Sequence, residues 1–365
     1  MRLRDFRHIC IVQTAYLGDA ALALYLAHRV RSLAGADARI SFVCAPESAP
    51  LAECSPAVDE TLVFDKRDAD AGFWGIERAA RRLRSRKVEL LLSPHRSFRS
   101  SLLARRANAR LTVGFSSAAG SFLYDRLVEY PAHLHEIERN ARLVGMFEDD
   151  LPPDNDRSNT DRRDDPRARP ILRLPDWARE ECARVQAEIQ RRTGSTEFFA
   201  LAPGSARPTK QWSQESFAEL ARKITAQTGK ATVLLGGEKD RLLCQWIARH
   251  SETLYGGALS LAGQTPLPVS LALLETATAL VANDSAPVHL AALVNCPTTA
   301  IFGPTSPALG FAPRSDRAAI VENAALGCRP CSPHGSARCP LGTRECMRSV
   351  SVDEVLRAVL SVARV

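Results

Sequence analysis

The sequence predicts two α/β domains, each a parallel sheet covered by helices on both faces. Three observations carry this expectation. Short apolar, β-branched runs alternate with longer helical patterns, the alternation halts at one polar stretch and then restarts, and 365 residues suffice for two separate cores. With 45% hydrophobic and 24% charged residues the composition is that of an ordinary globular chain, which excludes wholesale disorder. No run in the sequence approaches the roughly 18 consecutive apolar residues of a membrane-spanning helix.

In the first half, strands are expected at 8–13, 39–44, 61–64, 88–93 and 110–114, with helices at 19–33, 72–86, 98–107 and 133–147. Residues 148–170 are almost entirely polar with several prolines and cannot bury enough apolar surface to form a core element. The alternation then resumes, with strands at 198–202, 231–235, 279–282 and 298–302 and helices at 176–192, 214–227, 239–250, 267–276 and 287–293. Ser351, with Glu354 three residues on, opens a last helix with a capping box. The expected division is therefore a first domain at 1–150, a polar linker at 151–170, a second domain at 171–350 and a terminal helix at 351–365.

The formal charge is +7, unevenly spread: residues 77–110 carry eleven Lys or Arg against Glu77 and Glu89. Such a field favours a polyanionic partner, and the plainer reading of Arg78 to Lys87 is a solvated helix face. Cys10, Cys44, Cys54, Cys182, Cys244 and Cys296 are scattered and read as small core residues, whereas Cys328, Cys331, Cys339 and Cys346 crowd into one segment. The apolar run at 9–12 is too short for a secretory signal and no cleavage site follows it, so a cytoplasmic protein is expected.

Ligands of parallel sheets bind beyond the carboxyl ends of the strands, so the loops that follow strands are where chemistry is sought. The first, Gln13 to Leu22, contains Tyr16-Leu17-Gly18-Asp19 and no G-x-G-x-x-G, which disfavours a nicotinamide-dependent oxidoreductase. Asp19 at a helix start is either a cap or a general base; a helix N-terminus lowers a carboxylate pKa, whereas a base gains from a raised one. The second loop, Leu201 to Trp212, offers Gly204 and Ser205 for close approach and Arg207 and Lys210 as cations, a set suited to a diphosphate. Trp212 reads as a packing residue. In the third, Asp284 suits a sugar hydroxyl and Ser285 a phosphate oxygen, Ala286 permits close approach, and His289 lies one helical turn beyond Ser285.

The ordered set A-Y-L-G-D, P-G-S-A-R-P-T-K-Q-W, G-G-E-K-D and N-D-S-A-P-V-H followed by F-G-P-T-S-P resembles the bacterial ADP-heptose:lipopolysaccharide heptosyltransferases (glycosyltransferase family 9), most of all the heptosyltransferase II type, and the tail C-x-P-C, C-P-L-G, C-M extends it. The resemblance implies a GT-B fold, two Rossmann-like domains facing across a cleft, and an inverting glycosyltransferase that requires no metal or cofactor and uses ADP-heptose as donor. It implies Asp19 as the base, Lys210 as the group that neutralises the departing diphosphate, and Ser205, Ala206, Glu238, Thr265, Asp284, Ser285, Ala286 and His289 around the nucleotide sugar, with Arg207 added from its charge. The acceptor, a phosphorylated lipid-linked oligosaccharide, is expected at Gly18, Arg96 and Arg99, with peripheral contact to the anionic inner face of the inner membrane and no nucleic acid. Ala286 stands where the family commonly has glycine, and Gln211 where arginine often follows the lysine.

Other readings are a GT-B enzyme with another donor or acceptor and a non-catalytic polyanion-binding protein. Cys328, Cys331, Cys339 and Cys346, spaced C-x2-C-x7-C-x6-C, are either a structural metal site or plain thiols or a disulfide.

Overall fold

Strand β1 (His8–Gln13) is buried along its whole length, as a strand covered on both faces must be. In the computed structural model, which describes residues 2–147, 169–170, 172–252 and 257–364, it lies at the centre of the first of two sheets. From it the chain runs through α1 (Leu17–Ala34), β2 (Arg39–Cys44), α2 (Ala49–Glu53), β3 (Glu60–Val63), α3 (Gly72–Ser85), β4 (Leu90–Ser93), α4 (Phe98–Ala107), β5 (Leu111–Phe115), β6 (Arg126–Val128) and α5 (Glu136–Ala141). The sheet order is β3-β2-β1-β4-β5-β6, with every pair parallel.

The second unit follows with α6 (Asp176–Thr193), β7 (Phe198–Ala202), α7 (Gln214–Thr228), β8 (Ala231–Leu234), α8 (Arg241–His250), β9 (Leu259–Ser260), α9 (Leu267–Thr276), β10 (Leu280–Asn283), α10 (Ala286–Leu293), β11 (Thr298–Phe302), β12 (Ala318–Glu322), α11 (Glu345–Arg348) and α12 (Val352–Val362). Its order, β12-β11-β10-β7-β8-β9, is again all parallel. Counted from the first strand of each unit, both sheets have the doubly wound order 3-2-1-4-5-6. The chain reverses its direction of growth between β1 and β4 and again between β7 and β10. The loops that leave those strands diverge and open a crevice in each sheet.

The central strands match their expected spans, and the differences fall at the edges. Strands β6, β9 and β12 and helices α2 and α11 were not anticipated: the strands border the sheets or are only two or three residues long and lack a buried run, and the helices span five and four residues. The stretch expected as one helix at 133–147 is α5 followed by a 3-10 segment, Arg142–Phe147, which contains Gly145, a poor helix former. The last helix starts as expected, with the Glu354 N–H donating to Ser351 Oγ at 3.3 Å and the Ser351 N–H donating to Glu354 Oε2 at 3.0 Å. It is not a separate element: Val355, Leu356 and Val359 enter the core formed by Trp212, Phe217, Leu220 and Ile301. The two compact units are Met1–Arg173 and Leu174–Val365, and of the expected linker only 169 and 170 are among the described residues.

The scattered cysteines are buried free thiols, in line with their reading as core residues. The arginines of α3 and Arg86 just after it are largely tied up by carboxylates: Arg82 and Arg78 meet Asp70 at 2.8 and 3.8 Å, Arg84 meets Glu77 at 2.6 Å, and Arg86 meets Glu60 at 2.6 Å. The solvated-face reading therefore describes this helix better than a free polyanion stripe.

In the first turn of α3, Gly75 packs against backbone so closely that a Cβ would lie 2.0 Å from the Asp70 carbonyl oxygen. Gly75→Ala is expected to destabilise the fold by ~1–3 kcal/mol through overpacking. Urea denaturation checks this, and an unchanged midpoint would contradict it.

Candidate active site

In the second unit the loops after β7, β8, β9, β10 and β11 meet along one edge of the sheet. At their centre Lys210 Nζ lies 2.6 Å from Asp284 Oδ2, with side-chain exposures of 14% and 7%. Lys210 sits in a short 3-10 turn, Pro208–Lys210, and Asp284 immediately follows β10, so the switch point between β7 and β10 brings them together. Thr305, from the loop after β11, donates its hydroxyl to the same Asp284 oxygen at 2.6 Å. The fully buried Asn283 fastens the two loops: its Nδ2 donates to the Pro203 carbonyl at 2.7 Å, and its Oδ1 accepts the Trp212 N–H at 3.0 Å. Ser285 Oγ donates to the Gly204 carbonyl at 3.3 Å.

Glycines allow the remaining loops to close in. A Cβ on Gly204 would lie 2.3 Å from Asp240 Oδ1, and one on Gly263, whose φ is +73°, would lie 2.4 Å from Glu238 Oε2. Glu238 is exposed and paired with Arg241 at 2.8 Å, while Thr265 Oγ1 lies 2.8 Å from Ser270 Oγ. Ala206 and Arg207 are exposed on the same rim. Ser205, Ala206, Arg207, Lys210, Glu238, Asp284 and Ser285 thus share one edge, and Ala286 and His289 enter the helix α10 that leaves it. His289 is buried, and burial holds its imidazole down at about 4, with the Lys210 ammonium adding to the effect and the Asp284 carboxylate opposing it.

Sequence reasoning assigned Asp284 to a sugar hydroxyl. The structure pairs it with Lys210 and adds Asn283, Thr305 and Arg329, which had not been singled out. Arg329 is 5% exposed at its side chain; it donates to the carbonyls of Gly303, Asn323 and Thr305, the last two at 2.6 and 2.7 Å, and pairs with Glu322 at 2.6 Å. It ties the cysteine-rich segment to the end of β11, and Gly335 of that segment lies over Lys210, where a Cβ would approach Cε to 3.0 Å. Cys328, Cys331, Cys339 and Cys346 are free thiols, and among the described residues no three His, Cys, Asp or Glu side chains are gathered closely enough to hold a metal ion. Backbone N–H groups of Arg344, Leu341, Gly342 and Thr343 hold the Cys339 thiol below its ordinary range. Trp212 is a packing residue, with its indole N–H donating to the Val350 carbonyl at 3.1 Å. A cavity of about 550 Å³ beyond Gln211, lined by Trp212, Glu215, Arg344 and Arg348 among others, includes neither Lys210 nor Asp284.

In the first unit the corresponding crevice lies between β1 and β4. Helix α1 starts two residues earlier than expected, so Asp19 occupies its third position and accepts the Tyr16 N–H at 3.2 Å. Gly18 is buried in the same turn. Lys66, in the loop after β3, donates to the Thr14 carbonyl at 2.6 Å; burial and then Arg67 and Arg99 lower its pKa, with Asp19 among the carboxylates that oppose this. Thr14 Oγ1 lies 3.0 Å from His95 Nδ1, which is also 2.8 Å from Ser100 Oγ. Burial, then Lys66 and Arg96, hold the His95 imidazole down at about 4. Arg96 lies over the Tyr130 ring at 3.9 Å. Arg99, inside the helix expected at 98–107, is in the first turn of α4 and donates to the Lys66 carbonyl at 3.3 Å. Thr14, Lys66 and His95 had not been anticipated; only their position after strands could have marked them.

A family model for glycosyltransferase family 9 (heptosyltransferase) matches residues 76–340. The chain belongs to glycosyltransferase family 9. Its similarity to the lipooligosaccharide heptosyltransferase 2 of Haemophilus influenzae is 33% identity over 188 residues, 51% of each chain. The chain therefore matches about half the length of that relative. Among solved structures, the family 9 glycosyl transferase of Veillonella parvula superposes with a TM-score of 0.81 at 20% identity, covering 99% of this chain and 98% of that one. The ADP-heptose lipopolysaccharide heptosyltransferase II of E. coli does so with a TM-score of 0.73 at 21% identity, covering 97% and 98%. At these identities the structures establish a shared fold, which agrees with the α/β architecture expected for family 9.

The two most strongly depressed histidines, His95 and His289, give this family 9 chain a pH signature. Each lies at about 4 in the fold against an ordinary 6.5, so below about 6.5 the unfolded chain binds protons that the folded chain refuses. The stability they support is complete above that value and declines as pH falls towards about 4, by up to ~1.4 kcal/mol per pH unit for each ring. His289→Gln is expected to flatten the slope of urea-derived stability against pH in that window, and a slope equal to wild type would contradict the assignment.

Proposed function

We propose that the protein is an inverting heptosyltransferase that moves heptose from ADP-heptose to a phosphorylated, lipid-linked inner-core acceptor of lipopolysaccharide at the cytoplasmic face of the inner membrane. The single observation that carries the reading is the Lys210–Asp284–Thr305 cluster at the switch point of the second sheet, a fixed cation on the edge where nucleotides bind in doubly wound folds.

Glycosyl transfer breaks the bond between the anomeric carbon and the diphosphate and forms one to the acceptor oxygen. Negative charge gathers on the departing ADP, and a cation already in place stabilises it without reorganisation. Lys210, with Arg207 on the same rim, would supply that charge in place of a metal ion, and Ser205 and Ser285 offer hydroxyls to the phosphates. Asp19 would take the proton of the attacking hydroxyl as the new bond forms on the face opposite the leaving group, which inverts the anomeric centre. Lys66, Arg96 and Arg99 would meet the anionic groups of the acceptor.

The test is ADP release from ADP-heptose with a heptose–Kdo–lipid A acceptor. Lys210→Met and Asp19→Asn are each expected to reduce turnover by about 10²–10³-fold, the size typical of losing a transition-state donor or a positioned base. Wild-type turnover in either variant would defeat its assignment.

A further inference from the structure

The loops that follow β4 and β5 in the first unit are stapled into one rim. The Ala119 N–H donates to the Arg96 carbonyl at 2.9 Å, Ser101 Oγ donates to the Ala119 carbonyl at 2.9 Å, and the Arg96 guanidinium reaches Ser117 Oγ at 3.5 Å. Gly120, with φ at +86°, lies flat on the Phe98 ring, where a Cβ would come within 2.9 Å of it. The Arg99 contact to the Lys66 carbonyl joins the loop after β3 to the same rim.

Two aromatic rings stand out from this rim, Phe98 at 51% exposure and Phe122 at 78%. Arg96 and Arg99 flank Phe98 in sequence; Arg96 lies over the Tyr130 ring and Arg99 donates to the Lys66 carbonyl, and among the described residues neither meets a carboxylate. Residues 90–124 hold five arginines and no Asp or Glu. Among the described residues Arg106 of this set meets Glu77 at 3.6 Å, whereas Arg96 and Arg99 lack the carboxylate partners that Asp70, Glu77 and Glu60 provide for the arginines of α3 and the residue after it. Exposed rings on a fixed support, beside guanidinium groups without counter-charges, match the chemistry of a bilayer interface. Aromatic rings settle at headgroup depth, and cations are drawn to anionic lipid phosphates.

We propose that the Phe98–Phe122 rim is the face by which the protein rests on an anionic lipid bilayer, with both rings in the headgroup layer and Arg96 and Arg99 on lipid phosphates. The inference rests on the reading of a lipid-linked acceptor. It adds the orientation: the rim borders the crevice of Thr14, Lys66 and His95, so docking presents that half-site to the membrane surface.

Sedimentation of the full chain with vesicles of phosphatidylcholine, alone or mixed with phosphatidylglycerol, tests this. Wild type is expected to bind the mixed vesicles, less so as salt rises. Phe122→Ser is expected to bind about tenfold more weakly and the Phe98→Ser/Phe122→Ser pair more weakly still, with turnover on a water-soluble, deacylated acceptor unchanged. Wild-type vesicle binding by both variants would overturn the proposal. So would indifference of the wild type to phosphatidylglycerol, or a change of oligomeric state as the variants' only effect. The two readings fail separately. A chain that binds vesicles through these rings but transfers no sugar defeats the transferase reading alone, and one that transfers sugar but ignores vesicles defeats the docking face alone.

Discussion

The candidate donor site depends on one ion pair between two nearly buried groups. Removing an ammonium and a carboxylate from water costs several kcal/mol per ion unless each finds good partners, and here both do. Asp284 takes Lys210 and Thr305 on one oxygen, each at 2.6 Å, and the neighbouring Asn283 locks together the two loops that carry the pair. The arrangement keeps a flexible lysine at one address. On the proposed reading an arriving diphosphate would meet a cation that is already desolvated and aimed, the condition under which an electrostatic contact counts most.

The cysteine-rich segment completes this construction. Arg329 clamps it to the carbonyls beyond β11, the Cys331 N–H donates to the Pro304 carbonyl at 2.8 Å, and Thr209 Oγ1 donates to the Ser336 carbonyl at 2.7 Å while accepting the Ser336 N–H. The segment therefore lies across the Lys210 turn, and Gly335 gives the lysine stem its room. A side chain at position 335 would press on Lys210, and its φ of +76° is itself unfavourable for any other residue. The thiols stand beside this strap.

The doubly wound architecture was legible because central strands such as β1, β7 and β11 are buried throughout and rich in apolar residues, and helical patterns lie between them. Of the edge strands only β3 was legible: β6 and β12 carry no continuous buried run to read. The loops that hold Asp19, Lys210 and Asp284 could be found because each follows a buried strand. What sequence could not supply was partnership across the chain. Lys210 and Asp284 stand 74 positions apart with no local sign that the two meet, and Arg329 was hidden among cysteines that drew attention to themselves. The solvated face expected for Arg78 to Lys87 was legible, but not that Asp70 and Glu60 would pair with its arginines.

Equilibrium binding of ADP to the full chain, read by calorimetry for wild type and Lys210→Met, addresses the central claim most directly, because it isolates the diphosphate from acceptor and chemistry. A charge-assisted contact of this kind predicts about 10- to 100-fold weaker binding in the variant, with the difference shrinking as salt is raised. Equal affinity in the two proteins would mean that the lysine serves only Asp284, and the account of the donor site would fall.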